Sequence, residues 1–223
     1  IHETNGENRL PRLPANTTYR RNRLHLFGYK IAIKMILRIW PSRLEGSVHA
    51  PASKSVMQRL IAGAVLAKGV TTLHNVSDSD DCTSCLQMAA QLGADIELGE
   101  STVKIVGHGI PLNVRSRTLE AGESGLGARL FSVLSTCAAQ PMNVEAIGTL
   151  KSRPMQSLQA PIEALNGRFS ASEGQFPVQI SGPLSGGRIS LDGSLSSQFL
   201  SGLLMTLPTS AEDSEITISN LVS

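Results

Sequence analysis

The chain has 223 residues, of which 41% are hydrophobic and 17% charged, and its formal net charge is +2. These values are typical of a soluble globular protein that buries a substantial core in one large domain or two small ones. No apolar run approaches the roughly 20 residues that span a bilayer, and the N-terminus lacks the apolar stretch of a secretory signal. The sequence therefore predicts a cytoplasmic protein that does not bind a membrane.

The charge is unevenly spread along the chain. Residues 1–34 contain seven of the 20 Lys/Arg and two of the 18 Asp/Glu, which leaves 13 basic and 16 acidic residues in 35–223. Residues 1–34 show no sustained apolar period, so we expect a basic leader that is disordered or non-native. A nucleic-acid-binding arm is the alternative, but no aromatic interleaving or recognisable binding module accompanies it. The main prediction is therefore no nucleic-acid partner, and any anion site in 35–223 must be a local cluster.

The cysteines are three in number, Cys82, Cys85 and Cys137, which fits a reducing compartment. Cys82 and Cys85 have C-x-x-C spacing, but no second Cys or His pair follows, and zinc sites usually combine two such pairs. A redox role is the alternative to the first turn of a helix that begins at Asp80-Asp81. We favour the helix, and we predict neither a metal nor a cofactor.

From residue 35 onward, short β-branched runs alternate with longer apolar runs that begin at polar residues, a pattern typical of an α/β (α+β) protein. Predicted strands cover 36–39, 44–50, 71–76, 96–98, 103–106, 142–147 and 216–222, with others around Phe169, Val178 and Ile189. Predicted helices cover Lys54 to about Lys68, Asp80–Leu92, the run from Gly125 to Ala139, Gln156–Leu165, and the run Phe199–Leu207.

Three polar, glycine- or serine-rich turns open apolar runs at a constant interval. Lys54 and Gly125 are 71 residues apart, and so are Gly125 and Ser196. A period of about 70 residues is too long for a solenoid and fits a tandem repeat of a small αβ unit. The last unit lacks a second helix, so we expect the chain to be part of a longer protein. The predicted units are 44–112, 113–185 and 186–223.

The first of these turns is also the most cationic. Lys54, Ser55 and Arg59 lie at the start of a predicted helix, whose free N–H groups and dipole favour an anion. Two cations and a hydroxyl at this place indicate a phosphate or carboxylate ligand. An ordinary solvated helix start is the alternative that this segment alone leaves open.

Five separated motifs follow one another along the chain. They are Pro51-Ala52-Ser53-Lys54-Ser55-x-x-x-Arg59, Asp80-Asp81, Gly122-x-Ser124-Gly125-x-x-x-Arg129, Ser152-Arg153-Pro154 and Ser196-Ser197-Gln198-Phe199-Leu200. In their order and spacing, they resemble the 5-enolpyruvylshikimate-3-phosphate synthase family from about residue 35 to residue 223. The resemblance implies transfer of an enolpyruvyl group from phosphoenolpyruvate to shikimate 3-phosphate, in aromatic amino-acid biosynthesis. It also implies repeated βαβαββ units about a pseudo-threefold axis, and a monomer when the protein is full length.

The resemblance carries substrate contacts over residue by residue. For shikimate 3-phosphate, the implied contacts are Lys54, Ser55, Arg59, Ser196, Ser197, Gln198 and Ser223. For phosphoenolpyruvate, they are Lys54, Gly125, Arg153 and Gln198. No catalytic residue is implied within this chain, because the family's acid and base groups belong to a further half. A non-catalytic fragment that binds ligand is therefore an alternative description.

The commoner family turn has Asn and Thr where this chain has Glu123 and Leu126, so we predict that the Glu123 carboxylate pairs with Arg129 or Lys151.

The related UDP-N-acetylglucosamine enolpyruvyl transferases are the alternative enzyme. They typically have Lys-Asn in place of Lys54-Ser55 and a reactive Cys before the conserved Arg, whereas residues 148–153 contain no Cys.

Overall fold

The computed structural model describes residues 40–41, 43, 45–193 and 197–220. The chain divides into two units between residues 47 and 48, and every described helix and strand lies in the second. The predicted leader 1–34 and the predicted strand 36–39 lie outside the described residues.

The described elements alternate between helices and strands, as predicted for an α/β protein. The α-helices are α1 Lys54–Leu66, α2 Asp80–Gln91, α3 Gly125–Leu134, α4 Gln159–Ala164 and α5 Ser197–Thr206. The strands are β1 Lys68–His74, β2 Asp95–Leu98, β3 Thr102–His108, β4 Thr118–Glu120, β5 Met142–Glu145, β6 Arg168–Ser172, β7 Gln175–Ser181, β8 Gly187–Asp192 and β9 Ser214–Ser219.

The described strands form three sheets. The first has the order β1-β3-β2 with antiparallel neighbours, and β2 and β3 form the predicted hairpin. The second has the order β4-β5-β7-β6, in which β4 and β5 are parallel and the other pairs antiparallel. The third is the parallel pair β8-β9. The middle of the chain thus reads β4-α3-β5-α4-β6-β7, a complete βαβαββ unit.

The predicted strand 44–50 is wrong for the residues that are described, because 45–50 are exposed and form no strand. Their alternating pattern suits a strand, but a strand needs a neighbour, and β1 pairs only with β3 among the described residues. The predicted helix 156–165 is also shorter than expected. Gln156–Leu158 form a 3₁₀ turn, and α4 begins after it.

The core is built around α3, in which every residue from 126 to 134 is buried. A helix that is buried on all its faces must be enclosed by other elements. Glycines permit this close packing. A Cβ at Gly202 of α5 would lie 2.9 Å from Val133 Cγ2, and one at Gly127 would lie 2.6 Å from Cys85 Sγ on α2.

The C-x-x-C cysteines belong to this core. Cys82 and Cys85 lie in α2, are fully buried, and are not joined by a disulfide. Burial raises the pKa of the Cys85 thiol to about 12. A buried, protonated thiol is a poor nucleophile, so the packing favours the helix interpretation over a redox role. None of the described helices is long and apolar enough to cross a membrane.

A close contact between β3 and α1 yields a stability prediction. A Cβ at Gly107 would lie 2.2 Å from the carbonyl oxygen of Ala64 and 2.3 Å from that of Ala67. Backbone atoms cannot rotate away, so we expect Gly107→Ala to lower the free energy of unfolding by roughly 1–3 kcal/mol or more. Urea denaturation followed by circular dichroism measures this change.

Gly63→Ala is the matched control for Gly107→Ala. Gly63 lies within α1, and a Cβ there would meet no atom within 4 Å. Replacing a helical glycine with alanine in open space should raise the free energy of unfolding by about 0.5–1 kcal/mol. Equal effects of the two substitutions would contradict the packing of β3 on α1.

Candidate functional site

The first turn of α1 holds a lysine in an ion pair. Ser53 caps the helix by accepting a hydrogen bond from the backbone N–H of Val56, and α1 has no acidic residue in its first turn. Lys54 Nζ lies 2.7 Å from Asp81 Oδ2 of α2, with 51% of the lysine side chain still exposed. The hydrogen bond that Lys54 donates to the Asp81 carboxylate raises the pKa of Lys54. The ammonium group is therefore charged, oriented and accessible.

The Arg59 side chain folds back toward the start of α1. Its Nη1 donates a hydrogen bond to the backbone carbonyl of Ser55 at 3.0 Å, one turn back along α1. The structure thus brings together Lys54, Ser55 and Arg59, which the sequence analysis grouped as an anion site. Two cations and an exposed hydroxyl lie within the first two turns of α1.

The first two turns of α2 connect this place to the start of α3. Cys82 Sγ lies 3.7 Å from the carbonyl oxygen of Lys54, and Cys85 Sγ lies 4.0 Å from Ser124 Oγ. Ser124 caps α3 by accepting a hydrogen bond from the N–H of Gly127. Because one turn of α2 advances about 5.4 Å, the N-termini of α1 and α3 lie side by side.

Two guanidinium groups meet at the first residue of α3. A Cβ at Gly125 would lie 3.1 Å from Arg153 Nη1 and 3.3 Å from Arg129 Nη1. Gly125 therefore leaves its backbone open toward both arginines. No carboxylate of the described residues lies within 4 Å of either guanidinium, although six other ion pairs are present. Like charges this close favour a shared anionic partner.

Arg129 is the more deeply placed of the two, with 9% of its surface exposed. Its Nη1 donates to the carbonyl of Gly125 at 3.2 Å and to Gln198 Oε1 at 3.0 Å, and its guanidinium lies 5.3 Å from the centre of the Phe199 ring. Its Nε is buried and has no hydrogen-bond partner among the residues that the structure describes. Burial, followed by the charge of Arg153, lowers the pKa of Arg129. Only neutral oxygens compensate its charge among the described residues.

The third helix start contributes Gln198, which links α5 to α3 through Arg129. Ser197 is the first residue of α5 and is exposed. It lines a cavity of about 240 Å³ together with Gln156, Asp192 and Gly193. Two other residues assigned to shikimate 3-phosphate, Ser196 and Ser223, lie outside the described residues.

The predicted pairing of Glu123 with Arg129 or Lys151 is wrong. Its Oε1 instead accepts a hydrogen bond of 3.0 Å from the backbone N–H of Thr149. The reason is a close approach of two turns, since a Cβ at Gly148 would lie only 1.9 Å from the same oxygen. Gly148 has a φ of 57°, which glycine adopts without strain, so the turn can pass directly over the carboxylate.

Two features of the site were not predicted from the sequence. Asp81 and Arg129 were both parts of motifs, but Asp81 was not assigned as the partner of Lys54, and Arg129 was assigned no contact with a substrate. The spacing of Arg129 one turn after Gly125 was a usable signal, because residues four apart share a helix face. The packing of Gln198 and Phe199 on Arg129 joins residues about 70 positions apart and has no local signal.

Comparisons with known proteins agree with this geometry. The sequence matches the model of the family described as EPSP synthase (3-phosphoshikimate 1-carboxyvinyltransferase) over residues 40–223. The 3-phosphoshikimate 1-carboxyvinyltransferase of Clostridium perfringens is 34% identical over 181 residues, which are 81% of this chain and 43% of the relative. The enzyme of the same name from Edwardsiella ictaluri is also 34% identical over 181 residues, covering 79% of this chain and 42% of the relative.

Among solved structures, an EPSP synthase from Acinetobacter baumannii superposes with a TM-score of 0.71 at 26% sequence identity, over 80% of this chain and 41% of the other. The fold is therefore the mixed α/β fold of the enolpyruvyl transferases. Within that class, the chain belongs to the EPSP synthase (3-phosphoshikimate 1-carboxyvinyltransferase) family. It spans about 43% of the length of the Clostridium perfringens relative.

The pairing of Lys54 with Asp81 predicts a pH dependence. Because the folded-state pKa of Lys54 is raised above 10.5, the stabilisation from this pair is fully present below pH 10.5 and is lost as the pH rises through the raised value. Titrating the Lys54 ¹³Cε chemical shift by NMR should give a midpoint above the ordinary lysine value. Asp81→Asn should lower that midpoint, whereas Asp80→Asn should change it less. Equal shifts in both variants would contradict the pairing.

Proposed function

We propose that this chain supplies part of the substrate site of a 3-phosphoshikimate 1-carboxyvinyltransferase, an enzyme of the shikimate pathway of aromatic amino-acid biosynthesis. The reaction transfers the enolpyruvyl group of phosphoenolpyruvate to shikimate 3-phosphate and releases phosphate. The observation that carries the proposal is the meeting of Arg129 and Arg153 at Gly125, without a carboxylate partner among the described residues. Family membership supports it independently.

Phosphoenolpyruvate fits the part of the site where Arg129 and Arg153 meet at Gly125. It carries a carboxylate and a phosphate, and a guanidinium can hold either group through two parallel hydrogen bonds. We assign Arg153 and Gly125 to this substrate, with Gln198 beside Arg129 at 3.0 Å. Arg129 is an addition to the contacts predicted from the sequence, since its guanidinium faces the same glycine.

Shikimate 3-phosphate fits the part of the site at the start of α1, where Lys54 lies. Lys54, Ser55 and Arg59 offer two cations and a hydroxyl at the start of α1, where backbone N–H groups also favour a phosphate. Lys54 is assigned to both substrates because α2 places its helix start beside that of α3. Ser196, Ser197, Gln198 and Ser223 complete the assignment to this substrate.

The chemical step needs groups that the assigned contacts do not provide. The methylene carbon of phosphoenolpyruvate must gain a proton, and the attacking hydroxyl of shikimate 3-phosphate must lose one, which requires a positioned acid and base. Two carboxylates at the helix starts already accept hydrogen bonds, Asp81 from Lys54 and Glu123 from Thr149. We therefore assign binding to this chain and the proton transfers to residues elsewhere in the full enzyme. We further propose a cytoplasmic enzyme, monomeric at full length, that uses no cofactor and binds neither nucleic acid nor membrane.

The direct test measures both ligands on the chain. Isothermal titration calorimetry should show weak binding of shikimate 3-phosphate, and phosphate release should be undetectable. Lys54→Ala should weaken both ligands, since it removes a charge-assisted contact that typically contributes roughly 1.5–3 kcal/mol. Lys104→Ala is the control, because Lys104 is an exposed lysine paired with Glu97 on the first sheet. Equal affinities for the Lys54 and Lys104 variants would remove Lys54 from the site, and steady turnover would overturn the assignment of catalysis.

Gly125→Ala should affect the affinities for the two ligands differently. The added methyl would lie 3.1 Å from Arg153 Nη1 and 3.3 Å from Arg129 Nη1, so it displaces the guanidinium groups from the glycine. Losing one charge-assisted hydrogen bond corresponds to affinity for phosphoenolpyruvate lower by about 10- to 100-fold. Shikimate 3-phosphate should lose much less. A similar loss for both ligands, together with a lower melting temperature, would indicate a folding defect and contradict the assignment.

A further inference from the structure

The loop that carries Arg153 is attached to the turn before α3 at three points. The backbone N–H of Ile147 donates to the carbonyl of Gly122 at 2.9 Å. The N–H of Thr149 donates to Glu123 Oε1 at 3.0 Å. The buried side chain of Leu150 places its Cδ1 3.8 Å from the Cβ position of Gly125. The attachments of Ile147 and Leu150 use backbone or apolar atoms that most sequences supply. The attachment of Thr149 instead depends on the residue at position 123.

The attachment through Glu123 leads directly to Arg153. Gly148–Ser152 form a 3₁₀ turn, and Arg153 ends it, with its N–H bonded to the carbonyl of Leu150 at 2.9 Å. Thr149 is the second residue of that turn, so its N–H is one of the groups that the turn itself leaves unpaired. A carboxylate there satisfies the N–H and also suits the positive end of a helical turn.

The carboxylate is otherwise unexpected at this place. Glu123 is two residues before Gly125, where two guanidinium groups meet, yet it forms no ion pair within 4 Å with a described cation. Its oxygen faces the Gly148 turn so closely that a Cβ at Gly148 would lie 1.9 Å from it, so a larger residue there would displace the carboxylate. The geometry therefore separates two effects of Glu123, a hydrogen bond that shapes the loop and a negative charge near the anion site.

We propose that Glu123 is a positioning residue, whose carboxylate holds the Gly148–Ser152 turn through the Thr149 N–H and so keeps Arg153 directed at Gly125. This inference rests on the proposed function for its ligand, phosphoenolpyruvate, but the attachment itself is a property of the unliganded chain. The hydrogen bond, rather than the charge, is what serves the site.

The test compares Glu123→Gln with Glu123→Ala. Glutamine keeps the accepting oxygen and removes the charge, so Thr149 should keep its protection from amide hydrogen exchange, and the phosphoenolpyruvate affinity should stay within about threefold. Alanine removes the acceptor, so exchange at Thr149 should rise and affinity should fall about three- to tenfold. The loss is limited because the Ile147 N–H still bonds to Gly122. Shikimate 3-phosphate is the control ligand. Its assigned contacts differ from those of phosphoenolpyruvate except for Lys54 and Gln198, which the two ligands share.

A double-mutant cycle distinguishes positioning from a general structural effect. In an Arg153→Ala background, Glu123→Ala should produce no further loss of phosphoenolpyruvate affinity, because the group that it positions is gone. A further loss of the same size would overturn the proposal. So would unchanged affinity in Glu123→Ala, or an equal loss in the alanine and glutamine variants.

One readout does not need the ligand. The ¹⁵N relaxation of the Arg153 Nε–H group, measured on the unliganded chain, should show greater mobility in Glu123→Ala than in wild type or Glu123→Gln. If wild type fails to bind phosphoenolpyruvate, the proposed function fails, and this measurement still decides the positioning role. Unchanged Arg153 mobility in Glu123→Ala would overturn it.

Discussion

The structure depends on the complete burial of α3. A helix whose residues 126 to 134 are all inside must be surrounded, and glycines at its contacts with α2 and α5 let those helices approach closely. Only the N-terminal end of α3 meets the surface, and Gly125 is its first residue. The enclosure of the core therefore determines where polar chemistry can occur, and it directs that chemistry to one end of the helix.

Charge at this end is arranged in two ways. At α1, the cation is paired, since Lys54 holds Asp81 and stays half-exposed. At α3, two guanidinium groups face a glycine, and the described hydrogen-bond partners of Arg129 are neutral oxygens. A paired lysine is oriented before a ligand arrives, whereas an arginine without a carboxylate retains its full attraction for one. A site for two different anions can use both arrangements, which is the basis of the proposed division between the substrates.

How much of this was predictable depends on the range of the interactions. The starts of α2 and α3 and the β2-β3 hairpin follow from capping residues and short periods, so the sequence predicted them closely. The strand at 44–50 failed because a strand exists only beside another strand, and no pattern within the segment reveals whether a neighbour is present. The partner of Glu123 failed for a related reason. It depends on the Gly148 turn passing over the carboxylate, a contact between segments 25 residues apart.

Arg129 connects the site with the energetics of the whole fold. It is 9% exposed, its buried Nε lacks a partner among the described residues, and Arg153 adds a like charge. Removing a charge from water without an opposite charge is costly, so the unliganded fold carries a free-energy cost at this position. An anion that binds there relieves this cost in addition to forming its own contacts. Occupancy of the site and resistance to unfolding are therefore linked through a single side chain, and a variant made more stable by replacing Arg129 with an apolar residue would lose attraction for its ligand in the same step.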